Sequence, residues 1–277
     1  MRSRPRIAAI VLLPVAGMLC FVGIHSATAG ESAKKGPATP FFALSNCSQC
    51  DKYPTPEAQA RVLQELGYAG IGPSGTNGIP EMLEALDKHG LKMHALYVGA
   101  NLDPDKPKYD PKLPEVIRKL QGRETFIWLY VLRGKFKPSS SDADPQAVAL
   151  VREIAEMARE SGLRVALYPH AGFYVQRVED AVRVVEKVDR QNVGVTFNLC
   201  HWLKLDEPAS MKRLMELARP HLFLVTINGA DGDGETWDRL IQPLDRGSFD
   251  VYGFLRTLKE LGYTGPIGLQ CYGVPGD

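Results

Sequence analysis

Apolar and polar positions along this chain switch between two periods. Nearly continuous apolar runs, such as Phe126-Ile127-Trp128-Leu129-Tyr130-Val131 and Leu222-Phe223-Leu224-Val225, alternate with longer segments whose apolar residues return every three or four positions. The runs suit strands covered on both faces, and the longer segments suit amphipathic helices laid on a sheet. The pattern predicts strands over Phe41–Asn46, Tyr68–Ile71, Leu91–Val98, Glu124–Val131, Arg164–Tyr168, Val193–Asn198, Leu222–Asn228 and Ile267–Cys271. Between them it predicts helices over Glu57–Leu66, Pro80–His89, Pro114–Leu120, Asp144–Gly162, Val178–Val188, Ala209–Ala218 and Phe249–Leu261. Thr55-Pro56-Glu57 reads as an N-cap, a first-turn proline and a first-turn acid. Glycines 67, 90, 122, 162 and 262 read as helix stops. Eight strands in strict alternation with helices fit an α/β fold of the TIM (β/α)8 barrel type better than a doubly wound sheet. Only Tyr272–Asp277 follows the last strand, so the barrel is expected to lack its eighth helix. The uncovered strand face would then need the Glu31–Pro40 segment or a second subunit, as in a homo-oligomer, unless the chain is a truncated form of a longer pattern.

The N-terminal segment departs from this alternation. Arg2, Arg4 and Arg6 precede an apolar stretch from Ile7 to Ile24, and Ala27-Thr28-Ala29 supplies a small-residue cleavage site. Residues 1–29 are expected to be an export signal and 30–40 a polar tether, with the barrel over 41–277; retention as a membrane anchor is the alternative. The expected location is periplasmic or extracellular, with no stable membrane span after processing. The chain has 33 basic and 32 acidic residues, a formal charge of +1; without the three leader arginines 30 basic and 32 acidic residues remain, about −2. No basic run follows, so a nucleic-acid partner is not expected.

Export would permit disulfides. Cys20 lies in the leader, which leaves Cys47, Cys50, Cys200 and Cys271. Cys47-Ser48-Gln49-Cys50 has CxxC spacing and reads as a local disulfide or free thiols. A redox pair would open a helix directly, and a zinc knuckle would need a second such pair. The acidic, glycine-rich Gly229–Glu235 reads as a solvated loop, because its acids would repel phosphate and its spacing fails an EF-hand.

In a barrel of this type chemistry sits at the C-terminal strand ends, and side chains of one parity share a face. That parity places Ala166, Tyr168 and His170 together on the fifth strand, and Thr196, Asn198 and Cys200 on the sixth. It places Leu224, Thr226 and Asn228 on the seventh, and Gly268 and Gln270 on the eighth. His201-Trp202 and Asp231 follow shortly after two of these ends. Amides at a strand end can simply cap loops, but polar ends on four consecutive strands point to a pocket.

Four stretches carry a resemblance: Ala166–His170, Gly194–Trp202, Thr226–Asp231 and Gly265–Gln270. They resemble the xylose isomerase-like TIM barrels, a group of sugar isomerases, sugar and sugar-phosphate epimerases and apurinic endonucleases, and above all its exported sugar isomerase/epimerase-like members. The resemblance implies a divalent cation held by carboxylates on strands five, six and eight and a histidine on strand seven. This chain has Tyr168, Asn198, Asn228 (or Thr226) and Gln270 at those positions, and neutral amides hold Mg²⁺ or Mn²⁺ weakly. A divalent metal is therefore disfavoured, and no other cofactor is expected.

The expected ligand is a small carbohydrate. His170, His201 and Tyr168 are the catalytic candidates, since imidazoles exchange protons near neutrality and a phenol can donate to a carbonyl. Asn198, Asn228, Gln270, Trp202 and Asp231 are the binding candidates, and His94 is expected to pack. The leading function is isomerase- or epimerase-like proton transfer beside a carbonyl. The alternatives are a non-catalytic carbohydrate binder, or a lyase or hydrolase acting on an oxidised sugar.

Overall fold

The computed structural model describes residues 39–48 and 51–275. The expected export signal, most of the tether and Cys50 lie outside those residues. The parallel sheet has the order β3-β2-β1-β9-β8-β7-β6-β5-β4. Its strands are β1 (Phe41–Leu44), β2 (Gly70–Gly72), β3 (Lys92–Met93), β4 (Ala95–Asn101), β5 (Phe126–Leu132), β6 (Arg164–Leu167), β7 (Val193–Asn198), β8 (Leu222–Ile227) and β9 (Ile267–Leu269). β3 and β4 are the expected third strand, interrupted at His94. Both halves reach β2 or its extension, because His94 N–H donates to Ile71 and Tyr97 N–H donates to Pro73, each at 2.9 Å. Those bonds bring the two ends of the sheet together as a nearly closed barrel.

The helices are α1 (Pro56–Glu65), α2 (Ile79–Lys88), α3 (Leu113–Lys119), α4 (Asp144–Glu160), α5 (Val178–Val188), α6 (Leu199–Leu205), α7 (Met211–Ala218), α8 (Trp237–Leu240) and α9 (Val251–Glu260). Seven match the expected ones. The expected cap of α1 forms, with Thr55 Oγ1 accepting from Ala58 N–H at 3.2 Å. Two short helices, α6 and α8, were not anticipated by periodicity. Among the described residues no helix follows β9, and Gln270–Pro275 runs on as turns and irregular chain. None of the described helices is long and apolar enough to cross a membrane.

Two apolar layers result. The outer one lies between sheet and helices, where faces such as Val178, Ala181, Val182 and Val185 of α5 are buried. The inner one fills the barrel with Phe42, Leu44, Ala95, Phe126, Trp128, Ala166, Tyr168 and Leu224. Phe42 occupies the space that glycine leaves on both sides: a Cβ would stand 2.7 Å from its ring at Gly268 and 2.9 Å at Gly72. At the N-terminal end of the strands the Arg164 guanidinium lies over Phe126 at 4.2 Å and Phe223 at 5.2 Å, closing the barrel floor. These rings close the interior at one end, and the cavity described below lies at the other.

Candidate active site

Two imidazoles dominate the open end. β6 stops at Leu167, so Tyr168 and His170 lie beyond the assigned strand, in a connection that is firmly moored. Tyr168 N–H donates to Leu129 at 2.8 Å, His170 N–H to Val175 at 2.9 Å, and Tyr174 N–H to Val131 at 2.9 Å. The buried Tyr174 hydroxyl donates to Asp144, which also holds Arg183 and Lys187. His201 arrives differently. β7 runs into α6 without a linker, because the Asn198 side chain caps that helix by accepting the His201 N–H at 3.1 Å. Cys200 and His201 thus sit in a first helical turn, which corrects the expectation that Cys200 continues the inward parity of the strand.

The His170 and His201 ring centroids are 3.9 Å apart. His170 also stacks on Phe173 at 3.8 Å, and His201 meets Trp237 edge-on at 5.1 Å. One residue sets the proton positions on both rings. The Ala171 carbonyl can only accept, so His170 Nδ1, 2.9 Å away, carries the proton. The Ala171 N–H can only donate, so His201 Nδ1, at 3.3 Å, carries the lone pair. In the neutral rings His170 therefore presents a basic Nε2 and His201 an Nε2–H. Burial lowers the pKa of His170, while burial and then the neighbouring His170 lower that of His201 well below the usual imidazole value. Both rings are neutral at pH 7.

These rings, Tyr97, Trp128, Tyr168 and Trp237 enclose much of a cavity of about 670 Å³. Tyr97, Trp128 and Tyr168 pack edge to face at 4.7–5.2 Å, and Trp128 Nε1–H donates to Thr196 at 2.9 Å. Asn198 Nδ2 donates to the Tyr168 hydroxyl at 2.6 Å. Burial raises the pKa of Tyr97 and Tyr168, so both stay phenols. The far wall is Ser45, Asn46, Ser74, Gln270 and Tyr272. Among the described residues no Asp, Glu, Lys or Arg lines the cavity.

The structure brings Tyr168, His170, His201 and Gln270 to the cavity wall, with Asn198 directly behind Tyr168. It takes three other candidates elsewhere. Trp202 packs against Phe197, Phe249 and Phe254 in the outer layer and donates to Ser210 at 3.0 Å. Asp231 ties down its own loop, accepting from Ser248 N–H at 3.0 Å and Gln242 at 2.7 Å and pairing with Arg239. Asn228 Nδ2 donates to the Gly229 and Leu240 carbonyls at 2.7 Å each, so it braces that same loop. His94 packs against Phe42 as expected, with centroids 5.3 Å apart. Sequence reasoning missed Tyr97, Trp237, Ser45, Asn46 and Ser74 as wall residues. Tyr97 lies on a predicted strand, but its inward parity emerges only past the break at His94.

The profile of the xylose isomerase-like TIM barrel family matches residues 60–275. The chain belongs to that family. A 127-residue stretch is 30% identical to a 3-dehydroshikimate dehydratase of Pseudomonas aeruginosa, covering 44% of this chain and 20% of that protein's length. Among solved structures, 3-keto-D-glucoside 4-epimerase from E. coli superposes with a TM-score of 0.70 at 17% identity, over 84% of this chain and 92% of the other. A D-allulose 3-epimerase from Methylomonas sp., solved with D-allulose, gives 0.64 at 18% identity over 84% of each chain. At such identities the likeness is one of fold.

The divalent cation implied for this family can be tested against the donors. Asn198 Oδ1 already accepts from His201 N–H and Cys200 Sγ, and Gln270 Oε1 accepts from Asn46 at 2.5 Å and Tyr272 N–H at 3.2 Å. Asn228 Oδ1 and Thr226 Oγ1 are buried without a protein partner, but both are neutral and suit a hydroxyl or water donor. Among the described residues no three of His, Cys, Asp or Glu come together as a metal site. The residues present do not fit a hard cation.

Proposed function

We propose that the cavity takes a small uncharged sugar and moves a proton at the carbon beside its carbonyl, as an isomerase or epimerase does, without a divalent cation. The observation that carries this is the His170–His201 pair with its opposite tautomers, set in a neutral aromatic cavity. His170 Nε2 acts as the base that removes the proton. His201 Nε2–H donates to the carbonyl oxygen as negative charge develops on it, with the Tyr168 phenol beside it. Aromatic faces at Tyr97, Trp128 and Trp237 hold the apolar side of a sugar ring, while Asn46, Ser74 and Gln270 orient hydroxyls. The sugar-acting structural relatives support the substrate class. The expected export signal makes the site of action periplasmic or extracellular.

A second reading has one observation in its favour. The stretch shared with the Pseudomonas 3-dehydroshikimate dehydratase favours the lyase alternative, in which elimination of water starts with the same proton abstraction. An uncharged cavity does not favour an anionic substrate for it.

The test is solvent-deuterium incorporation into a panel of neutral keto- and aldo-sugars, each with and without excess chelator. Expected is exchange at the carbon beside the carbonyl, unchanged by chelator, and lowered about 10²-fold or more in His170→Ala. Loss of water from the sugar would favour the lyase. Binding without exchange would favour a non-catalytic carbohydrate binder. Normal exchange in both His170→Ala and His201→Ala, or loss of activity on chelation, would refute the assignment.

A further inference from the structure

β1 and β9 are the first and last strands of the barrel, and they pair in parallel with Ala43 opposite Leu269. Just past them, a single turn over Ser45–Cys47 turns Cys47 toward the chain leaving β9. There the Cys47 thiol stands 3.0 Å from the Leu269 carbonyl and 2.7 Å from the Cys271 sulfur. Both cysteines are partly exposed. The residues beside them form one wall of the cavity. Asn46 Nδ2 donates to Gln270 Oε1, and Asn46 Oδ1 accepts the Cys271 N–H at 3.3 Å.

We propose that Cys47 and Cys271 form a disulfide that staples the first strand of the barrel to the last, at the Asn46–Gln270 edge of the cavity. The pairing of β1 with β9 brings the two sulfurs within 2.7 Å of each other, and a disulfide requires such an approach of its two side chains. The staple joins residues 224 positions apart and would hold together the one wall of the cavity built from both ends of the barrel. The CxxC spacing of Cys47 and Cys50 suggests a local pair instead. The two pairings exclude each other, since one sulfur forms one disulfide.

The oxidant is a disulfide, either of a disulfide-donating oxidoreductase or of a small molecule such as oxidised glutathione. The hydrogen bond donated by Cys47 lowers the pKa of Cys271, so Cys271 is the attacking thiolate. Its sulfur bonds to one glutathione sulfur, and the other glutathione leaves as a thiolate. Cys47 loses its proton to solvent, attacks Cys271 Sγ and expels the second glutathione thiolate. Two protein thiols are oxidised by two electrons, and one glutathione disulfide is reduced to two thiols.

The experiment incubates the whole protein with oxidised glutathione at pH 8, blocks the remaining thiols and maps peptides without reduction. Expected is a Cys47–Cys271 linked pair as the dominant species, retained in Cys50→Ser and absent from Cys271→Ser. Amide exchange at Gln270–Tyr272 should slow at least several-fold on oxidation of the wild type. A dominant Cys47–Cys50 link, persistent glutathione adducts at either site, or unreacted thiols would overturn the pairing. A Cys47–Cys271 link with unchanged exchange at Gln270–Tyr272 would overturn the staple. The outcome is independent of which ligand the cavity takes.

Discussion

Replacing Asp144 tests whether the His170 loop is held from below. This carboxylate is 3% exposed and receives the Tyr174 hydroxyl, the Arg183 guanidinium at 3.2 Å and the Lys187 ammonium. Burial alone would raise its pKa, but the bonds from Lys187 and Tyr174 outweigh that and hold it below the ordinary carboxylate value. Its contribution is therefore fully present at neutral pH and is lost as pH falls through that lowered value. In Asp144→Ala the fully buried Tyr174 hydroxyl loses its acceptor, at about 1–3 kcal/mol. The Arg183 bond adds about 1.5 kcal/mol, and Lys187, half exposed, adds under about 1 kcal/mol. The total is about 2.5–5.5 kcal/mol, which brackets the range for removing one partner of a buried ion pair. Asp144→Asn keeps an acceptor for Tyr174 and should lose about 2 kcal/mol. Urea unfolding at pH 7, with unchanged slope, measures both. The Asp144→Ala and Tyr174→Phe losses should be non-additive by about 1 kcal/mol, because the two groups share one bond. A loss below about 1 kcal/mol in Asp144→Ala would refute the mooring, and with it the account of how His170 is fixed.

Two further outcomes follow from the same structure. The lowered pKa values of His94, His170 and His201 mean that the unfolded chain takes up protons first on acidification. Stability should be full above the ordinary imidazole value of about 6.5 and fall by up to about 1.4 kcal/mol per histidine for each pH unit below it. His201→Asn should flatten that fall between pH 6.5 and 5.5 in urea titrations, and an equally steep fall would contradict it. N-terminal sequencing of protein from its native host should read Gly30-Glu31-Ser32, whereas a membrane-retained Met1 terminus would favour the anchor.

Much of the fold was legible because burial repeats locally. A helix laid on a sheet must return an apolar face every 3.6 residues, and a strand covered on both sides must stay apolar, so the alternation of strands and seven helices can be read off neighbours in the chain. Stops at residues such as Gly67, Gly90 and Gly162 are equally local, since φ is +78°, +67° and +70° there. The four-residue α8 is too short to show a period, and so Trp237 escaped notice. At the strand ends, composition could show that Tyr168, Asn198, Asn228 and Gln270 are polar, but not what each one faces. Asn228 turned to brace a loop and Asn198 to cap α6, because nearby backbone groups needed partners. The meeting of His170 with His201 was decided by the pairing of β6 with β7, and that of Cys47 with Cys271 by the pairing of β1 with β9. Residues far apart in sequence become neighbours only when parallel strands pair in register, and that register is a property of the whole sheet rather than of any one segment.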